Sequence, residues 1–229
     1  MIDAVLFEFD GVLADTARAR GDALRSTLRE DGINLTPDEF REHCAGRSFP
    51  EGVRAALDMK SVKLDETGID LLVLRTERAY SAVVGKGVTL SDGVPQVIER
   101  LAGSVRLGIV TRAQRSDVDF VLSLAGLDHA FACLVTGEDV TTGKPSPAPY
   151  RVALERLSRL RVTRASSCVA LEDTLVGIRS ARAAGLRAVA VGALPAHVAM
   201  EADGLLQGIS GLTLASLQRL VARDGERIQ

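Results

Sequence analysis

Five short apolar runs punctuate the chain: AVLFEF (4–9), VRLGIVT (105–111), ACLVTG (132–137), CVALED (168–173) and RAVAVG (187–192). None alternates apolar with polar, so each predicts a strand buried on both faces, as in a parallel sheet with helices on either side. Between the runs the apolar spacing turns helical, in VPQVIERLA (94–102), QRSDVDFVLSLAG (114–126), APYRVALERLSRL (148–160) and TLVGIRSARAAG (174–185). Gly126 and Gly185 fall where helix C-caps belong. Strand alternating with helix predicts an α/β fold, a doubly wound parallel sheet with right-handed crossovers.

Residues 16–88 break this rhythm. TARARGDALRSTLREDG, TPDEFREHC, PEGVRAALDM and ETGIDLLVLRTERAYSAVVG are helical patterns in succession, with no convincing strand among them. They predict an all-helical insertion, residues 16–88, within an α/β core of residues 1–15 and 89–229. Its ends, near Ala14–Thr16 and Thr89–Gly93, are expected to act as hinges. No internal repeat or low-complexity tract is present.

Composition narrows the function classes. The 229 residues are 46% hydrophobic and 25% charged, ordinary for a soluble globular chain with a full core. A formal net charge of −2 leaves no electrostatic footprint for nucleic acid or an anionic membrane. The most basic stretch, RVALERLSRLRVTR (151–164), spaces its arginines as a solvated helix face. Acids within MIDAVLFEFD argue against a secretory signal, and no run approaches the ~20 apolar residues of a membrane span. Cys44, Cys133 and Cys168 are odd in number and form no CxxC pair. Reduced thiols in a cytoplasmic protein are therefore expected. A monomer or weak homodimer is expected as well.

In an open α/β sheet, ligands bind beyond the carboxyl ends of the strands. The first predicted strand ends in Glu8 and Asp10, followed by Gly11, and the second ends in Thr111. The third leads through TGEDVTTGKPSPAPY to Lys144, and the fourth ends in Glu172 and Asp173. Four carboxylates, a hydroxyl and an ammonium thus converge on one rim. Carboxylates without His or Cys favour a hard, oxygen-seeking ion such as Mg²⁺. A carboxylate can also serve as a nucleophile toward phosphorus, while Thr111 and Lys144 hold the phosphoryl oxygens. Phosphoryl transfer is the chemistry this set suits.

Each residue also has a plainer reading. Asp10, Asp15 and Asp173 could be helix N-caps, Lys144 a solvated surface lysine and Thr111 an unremarkable strand end. Their joint placement on successive strand ends favours the site. Rival motifs fail: GEDVTTGKP has five residues between its glycines and Pro145 where a P-loop requires Ser or Thr. No G-x-S-x-G elbow occurs, and His43, His129 and His197 lack zinc-ligand spacing.

DAVLFEFDGVLADT, GIVTRA, GKPSPAPY and VALEDTLVGIRSARAAG together resemble, in order, the four motifs of the haloacid dehalogenase (HAD) superfamily. The similarity covers essentially the whole chain. It points to the branch with a helical cap after the first strand, which includes β-phosphoglucomutase-like proteins and small-metabolite phosphatases. The resemblance implies a Rossmann-like core, a closing cap, Mg²⁺ and a small phosphorylated metabolite as substrate. It makes Asp10 the general acid/base. It assigns the metal to the carboxylate of residue 8, the carbonyl of Asp10 and the side chain of Asp173, with Glu172 beside them as support or as a further ligand. Thr111 and Lys144 take the phosphoryl contacts, and Gly11 suits close backbone approach to phosphate. Dehalogenases of the superfamily act on carbon and dispense with the second aspartate and with metal, so the presence of Asp10, Glu172 and Asp173 argues for a phosphorus centre.

The chain departs from the family at its first acid, where the nucleophilic aspartate is Glu8. One methylene moves the carboxylate by about 1.5 Å, and a misplacement of about 1 Å can cost ~10²-fold in rate. A weakened enzyme, a non-catalytic phosphate binder and an introduced Asp→Glu replacement all remain open. Mutases of this branch carry a His early in the first cap helix and an Arg in the cap loop. Here position 20 is Arg20, and Arg47 in AGRSFPEG lies near the usual place, which favours hydrolysis over phosphosugar mutase chemistry. Arg112, after Thr111, either clamps the substrate or is a solvated arginine.

Overall fold

The computed structural model describes residues 1–14, 17–45, 47–84 and 90–222. In chain order the elements are β1 (Ala4–Phe7), α1 (Ala17–Glu30), α2 (Pro37–Glu39), α3 (Phe49–Met59), α4 (Glu66–Val84), α5 (Val94–Ala102), β2 (Arg106–Val110) and α6 (Arg115–Leu124). There follow β3 (Cys133–Val135), α7 (Ala148–Leu160), β4 (Cys168–Glu172), α8 (Leu175–Ala183), β5 (Arg187–Val191), α9 (Ala196–Ala199), β6 (Gly204–Leu206) and α10 (Leu214–Ala222). The chain divides into two compact units, Met1–Ala14 with Leu90–Gln229, and Asp15–Thr89.

The first unit is the α/β layer structure. Its six strands are parallel in the order β3-β2-β1-β4-β5-β6. All four residues of β1 and all five of β4 are buried, as their unbroken apolar runs require. Gly126 and Gly185 follow α6 and α8 with positive φ, as helix C-caps do. The observed strands stop one or two residues short of the apolar runs, although the Glu8 N–H still donates to the Leu171 carbonyl and the Thr111 N–H to the Val135 carbonyl, both at 2.9 Å. The sixth strand, β6, lies beyond the five expected. Ala14 bridges Leu90, and the Ser91 N–H donates to the Leu13 carbonyl at 2.9 Å, so the chain leaves and re-enters this unit at one place. Asp15, Thr16 and Thr89, at the expected hinges, lie outside the described residues.

The second unit is helical, as its pattern predicts. Thr36 and Glu39 form a reciprocal capping box before α2, which runs on into a π turn, Phe40–Cys44, and Ser48 with Glu51 does the same for α3. Leu24, Leu28, Leu35, Val53, Leu57 and Leu72 pack a core of its own. No helix among the described residues is long and apolar enough to cross a membrane. The three cysteines are free and buried.

Candidate active site

Register explains why the acids of β1 and β4 meet. Phe7 pairs with Ile109 on one side and Leu171 on the other, so the next step brings Glu8 level with Val110 and Glu172. Strand alternation sends these residues to the face where Leu6, Ala170, Tyr150 and Ile178 pack, beneath α7 and α8. The apolar core therefore ends in a polar layer.

Lys144 is the centre of that layer. It is 3% exposed, which excludes the surface-lysine reading. Its Nζ donates to Glu8 Oε2, to Glu172 Oε1 and, at 2.8 Å, to the Val110 carbonyl. The loop that delivers it is pinned on both sides. Asp139 accepts from Arg156, Arg115 and the Thr136 N–H and hydroxyl. On the other side the Ser180 hydroxyl donates to the Ser146 carbonyl at 2.5 Å.

Glu8 is spent at both oxygens, since Oε1 curls back to accept from the Phe9 N–H at 2.8 Å. Glu172 is fully buried, and its Oε1 also accepts from the Tyr150 hydroxyl at 2.5 Å. Its Oε2 is buried with no hydrogen-bond partner among the described residues and rests against Gly177, where a Cβ would lie 1.9 Å away. Asp173 is half-buried and rests on Gly11, where a Cβ would come within 2.1 Å of Oδ2. Gly11 has a φ of +79° in the tight turn after Phe9, so both conformation and space require glycine. The helix-cap reading of Asp173 fails, because Thr174 caps α8 by accepting from the Gly177 N–H at 3.2 Å.

The electrostatics follow from this crowding. Burial, then Glu8, Glu172 and Asp10, push the Asp173 carboxyl well above the usual range. Burial and Glu8 raise Glu172 to about 7 although Lys144 and Tyr150 oppose them. Burial alone would lower Lys144, but Glu172 and Glu8 raise it and keep it charged.

The structure thus brings together Glu8, Gly11, Lys144, Glu172 and Asp173, with Asp10 close enough to act on Asp173. Thr111 is 2% exposed at the end of β2, its Oγ1 accepting from the Ala113 N–H at 3.1 Å. Arg112 is half-buried, its backbone carbonyl against Gly137 and its guanidinium along Gly143. Arg20 and Arg47 belong to the helical unit. There the Arg20 guanidinium lies 4.2 Å from the Phe49 ring centroid and donates to the Arg47 carbonyl at 3.3 Å. Tyr150 and Gly177 were not singled out by the sequence, where both look like ordinary helix residues.

The donor set fits Mg²⁺ in one respect and limits it in another. Its carboxylates are all oxygen ligands, and after burial the charges of Glu8, Glu172 and Asp10 raise Asp173 further, a repulsion that a divalent cation would relieve. No group of three or more His, Cys, Asp or Glu side chains forms a ready metal cage among the described residues. Mg²⁺ does not demand one, because it binds through one or two carboxylates and keeps several waters.

With this geometry in place, the chain belongs to the haloacid dehalogenase-like hydrolase family, which it matches over residues 5–191. It is 33% identical over 190 residues to a phosphoglycolate phosphatase of Xanthomonas campestris, covering 82% of this chain and 81% of that one. The structure of CbbY from Rhodobacter sphaeroides in complex with phosphate superposes with a TM-score of 0.82 at 27% identity, over 95% of this chain and 100% of that one. A β-phosphoglucomutase from Clostridium difficile shares the fold at a TM-score of 0.87 and 20% identity, over 99% and 100% of the two chains. The chain is an enzyme of the phosphatase type within that family.

Proposed function

We propose that the chain hydrolyses a phosphate monoester of a small metabolite with Mg²⁺, and that Glu8 at the nucleophile's position weakens its turnover. The observation that carries this reading is the convergence of Glu8, Lys144, Glu172 and Asp173 at the carboxyl ends of β1 and β4. Glu8, Asp173 and the carbonyl of Asp10 would hold the ion, with Glu172 behind them. When bound, Mg²⁺ supplies charge neutralisation for the phosphoryl oxygens.

This chain's residues do the rest. A Glu8 oxygen attacks phosphorus as the ester P–O bond breaks, and Asp10 gives its proton to the leaving alkoxide. Asp10 then takes a proton from water, which attacks the same phosphorus and releases orthophosphate with a free Glu8 carboxylate. Thr111 and Lys144 hold the equatorial oxygens. The helical unit, with Arg20 and Arg47, acts as the cap, and Arg112 contacts the substrate from the core.

A second reading, a phosphate-binding protein without turnover, draws on Glu8 itself, whose two oxygens are both engaged. A screen of phosphate esters, 2-phosphoglycolate and hexose phosphates among them, with and without Mg²⁺, separates the two. Mg²⁺-dependent orthophosphate release supports the enzyme. Orthophosphate binding without release from any ester supports the binder.

A further inference from the structure

An ammonium has three N–H donors, and each donor of Lys144 is already matched, to the Val110 carbonyl, Glu8 Oε2 and Glu172 Oε1. A phosphoryl oxygen can therefore reach Lys144 only by displacing one of the three. They are not equivalent. Val110 offers a main-chain carbonyl at the end of β2. Glu172 is fully buried, is bonded a second time by the Tyr150 hydroxyl at 2.5 Å, and cannot retreat because its Oε2 lies against Gly177. Glu8 is 7% exposed and, among the described residues, is bonded otherwise only to the adjacent Phe9 N–H.

We infer that Tyr150 is a positioning residue for phosphoryl transfer. Its hydroxyl fixes Glu172 as the permanent counterion of Lys144, so that Glu8 is the partner released when a phosphoryl group arrives. Tyr150 is suited to this, being fully buried on α7 with its ring centroid 5.4 Å from Nζ. The inference rests on the phosphatase reading above, and it assigns Glu172 to the lysine rather than to the metal.

The test is Tyr150→Phe, which keeps the ring and removes the hydroxyl. Only Lys60, Lys63, Lys86 and Lys144 are lysines, so a lysine-selective ¹H–¹⁵N spectrum can resolve the Lys144 Nζ signal, assigned by its loss in Lys144→Arg. The wild type should show a sharp, slowly exchanging signal that broadens in Tyr150→Phe. In that variant kcat should fall about tenfold, with half-saturating Mg²⁺ unchanged within about twofold. An unchanged Lys144 signal overturns the inference, as does a shift in Mg²⁺ dependence with kcat retained. Should Tyr150→Phe fail to fold, Glu172→Gln must broaden the same signal, and a sharp signal there overturns the inference too. If the wild type turns over no phosphate ester, the phosphatase reading falls while the spectrum still judges Tyr150.

Discussion

Replacing Lys144 with methionine isolates the electrostatics of the site from its chemistry. The side chain is 3% exposed, and methionine keeps most of its volume. What disappears is the ammonium that Glu8 Oε2 and Glu172 Oε1 share, which leaves two carboxylates in a buried layer without their cation. Breaking a buried pair by removing one partner costs about 3–5 kcal/mol. For a chain of this length that corresponds to a fall of about 6–20 °C in Tm. The loss should also depend on pH. Glu172 is held at about 7 even with Lys144 present, and removing the cation raises it further. A carboxyl whose folded pKa is raised binds its proton more tightly when folded. The variant should therefore regain stability at low pH and lose it as pH rises through that value. Thermal melts of Lys144→Met at pH 8 and pH 5 should show a clearly smaller deficit at pH 5, and adding Glu172→Gln should recover part of the loss at pH 8. A deficit below about 1 kcal/mol, or one independent of pH, would refute the charge-layer reasoning.

Three further outcomes are expected. Gly11→Ala places a Cβ 2.1 Å from Asp173 Oδ2 at a φ of +79°. It should lower kcat/KM by about 10²-fold or more while the fold, read by circular dichroism, is retained. Asp173→Asn should abolish the rise in Tm that Mg²⁺ gives the wild type at pH 7.5, and a persistent rise would count against its role as ligand. Burial alone would raise Asp139, but Arg156 and Thr136 bring it down from 3.8 to about 2, so its stabilisation is present above the unfolded value and lost as pH falls toward 2. Asp139→Asn should thus be less stable at neutral pH, by about 1 kcal/mol once solvent screening of this partly exposed pair is allowed for, with the two stability curves converging between pH 3.8 and 2.

The strands that carry the site were legible because they are buried on both faces, which leaves unbroken apolar runs ending in acids. The edge strand β6, Gly204–Leu206, was not, being three residues long and partly exposed. The helices of the Asp15–Thr89 unit were legible from spacing, and the capping boxes of Thr36 and Ser48 support two of them. Within the site, Glu8 and Glu172 announced themselves as charges at strand ends, and Lys144 as a charge in the loop that follows the third strand. Tyr150 did not, because a hydroxyl on an amphipathic helix has no sequence signal until the helix is docked over Glu172. Gly177 was hidden for the same reason, its lack of a side chain mattering only to a carboxylate on another element. Nor could spacing tell that both Glu8 oxygens and all three Lys144 donors are already engaged.

The account turns on Glu8, so the most direct measurement is kcat/KM for the wild type and Glu8→Asp on one phosphate ester that the chain accepts, with Mg²⁺. Shortening the side chain withdraws its carboxylate by about 1.5 Å, out of the curled geometry in which Oε1 bonds the Phe9 N–H. If Glu8 is a misplaced nucleophile, Glu8→Asp should raise kcat/KM by about 10²-fold or more. An unchanged or lower value would contradict it.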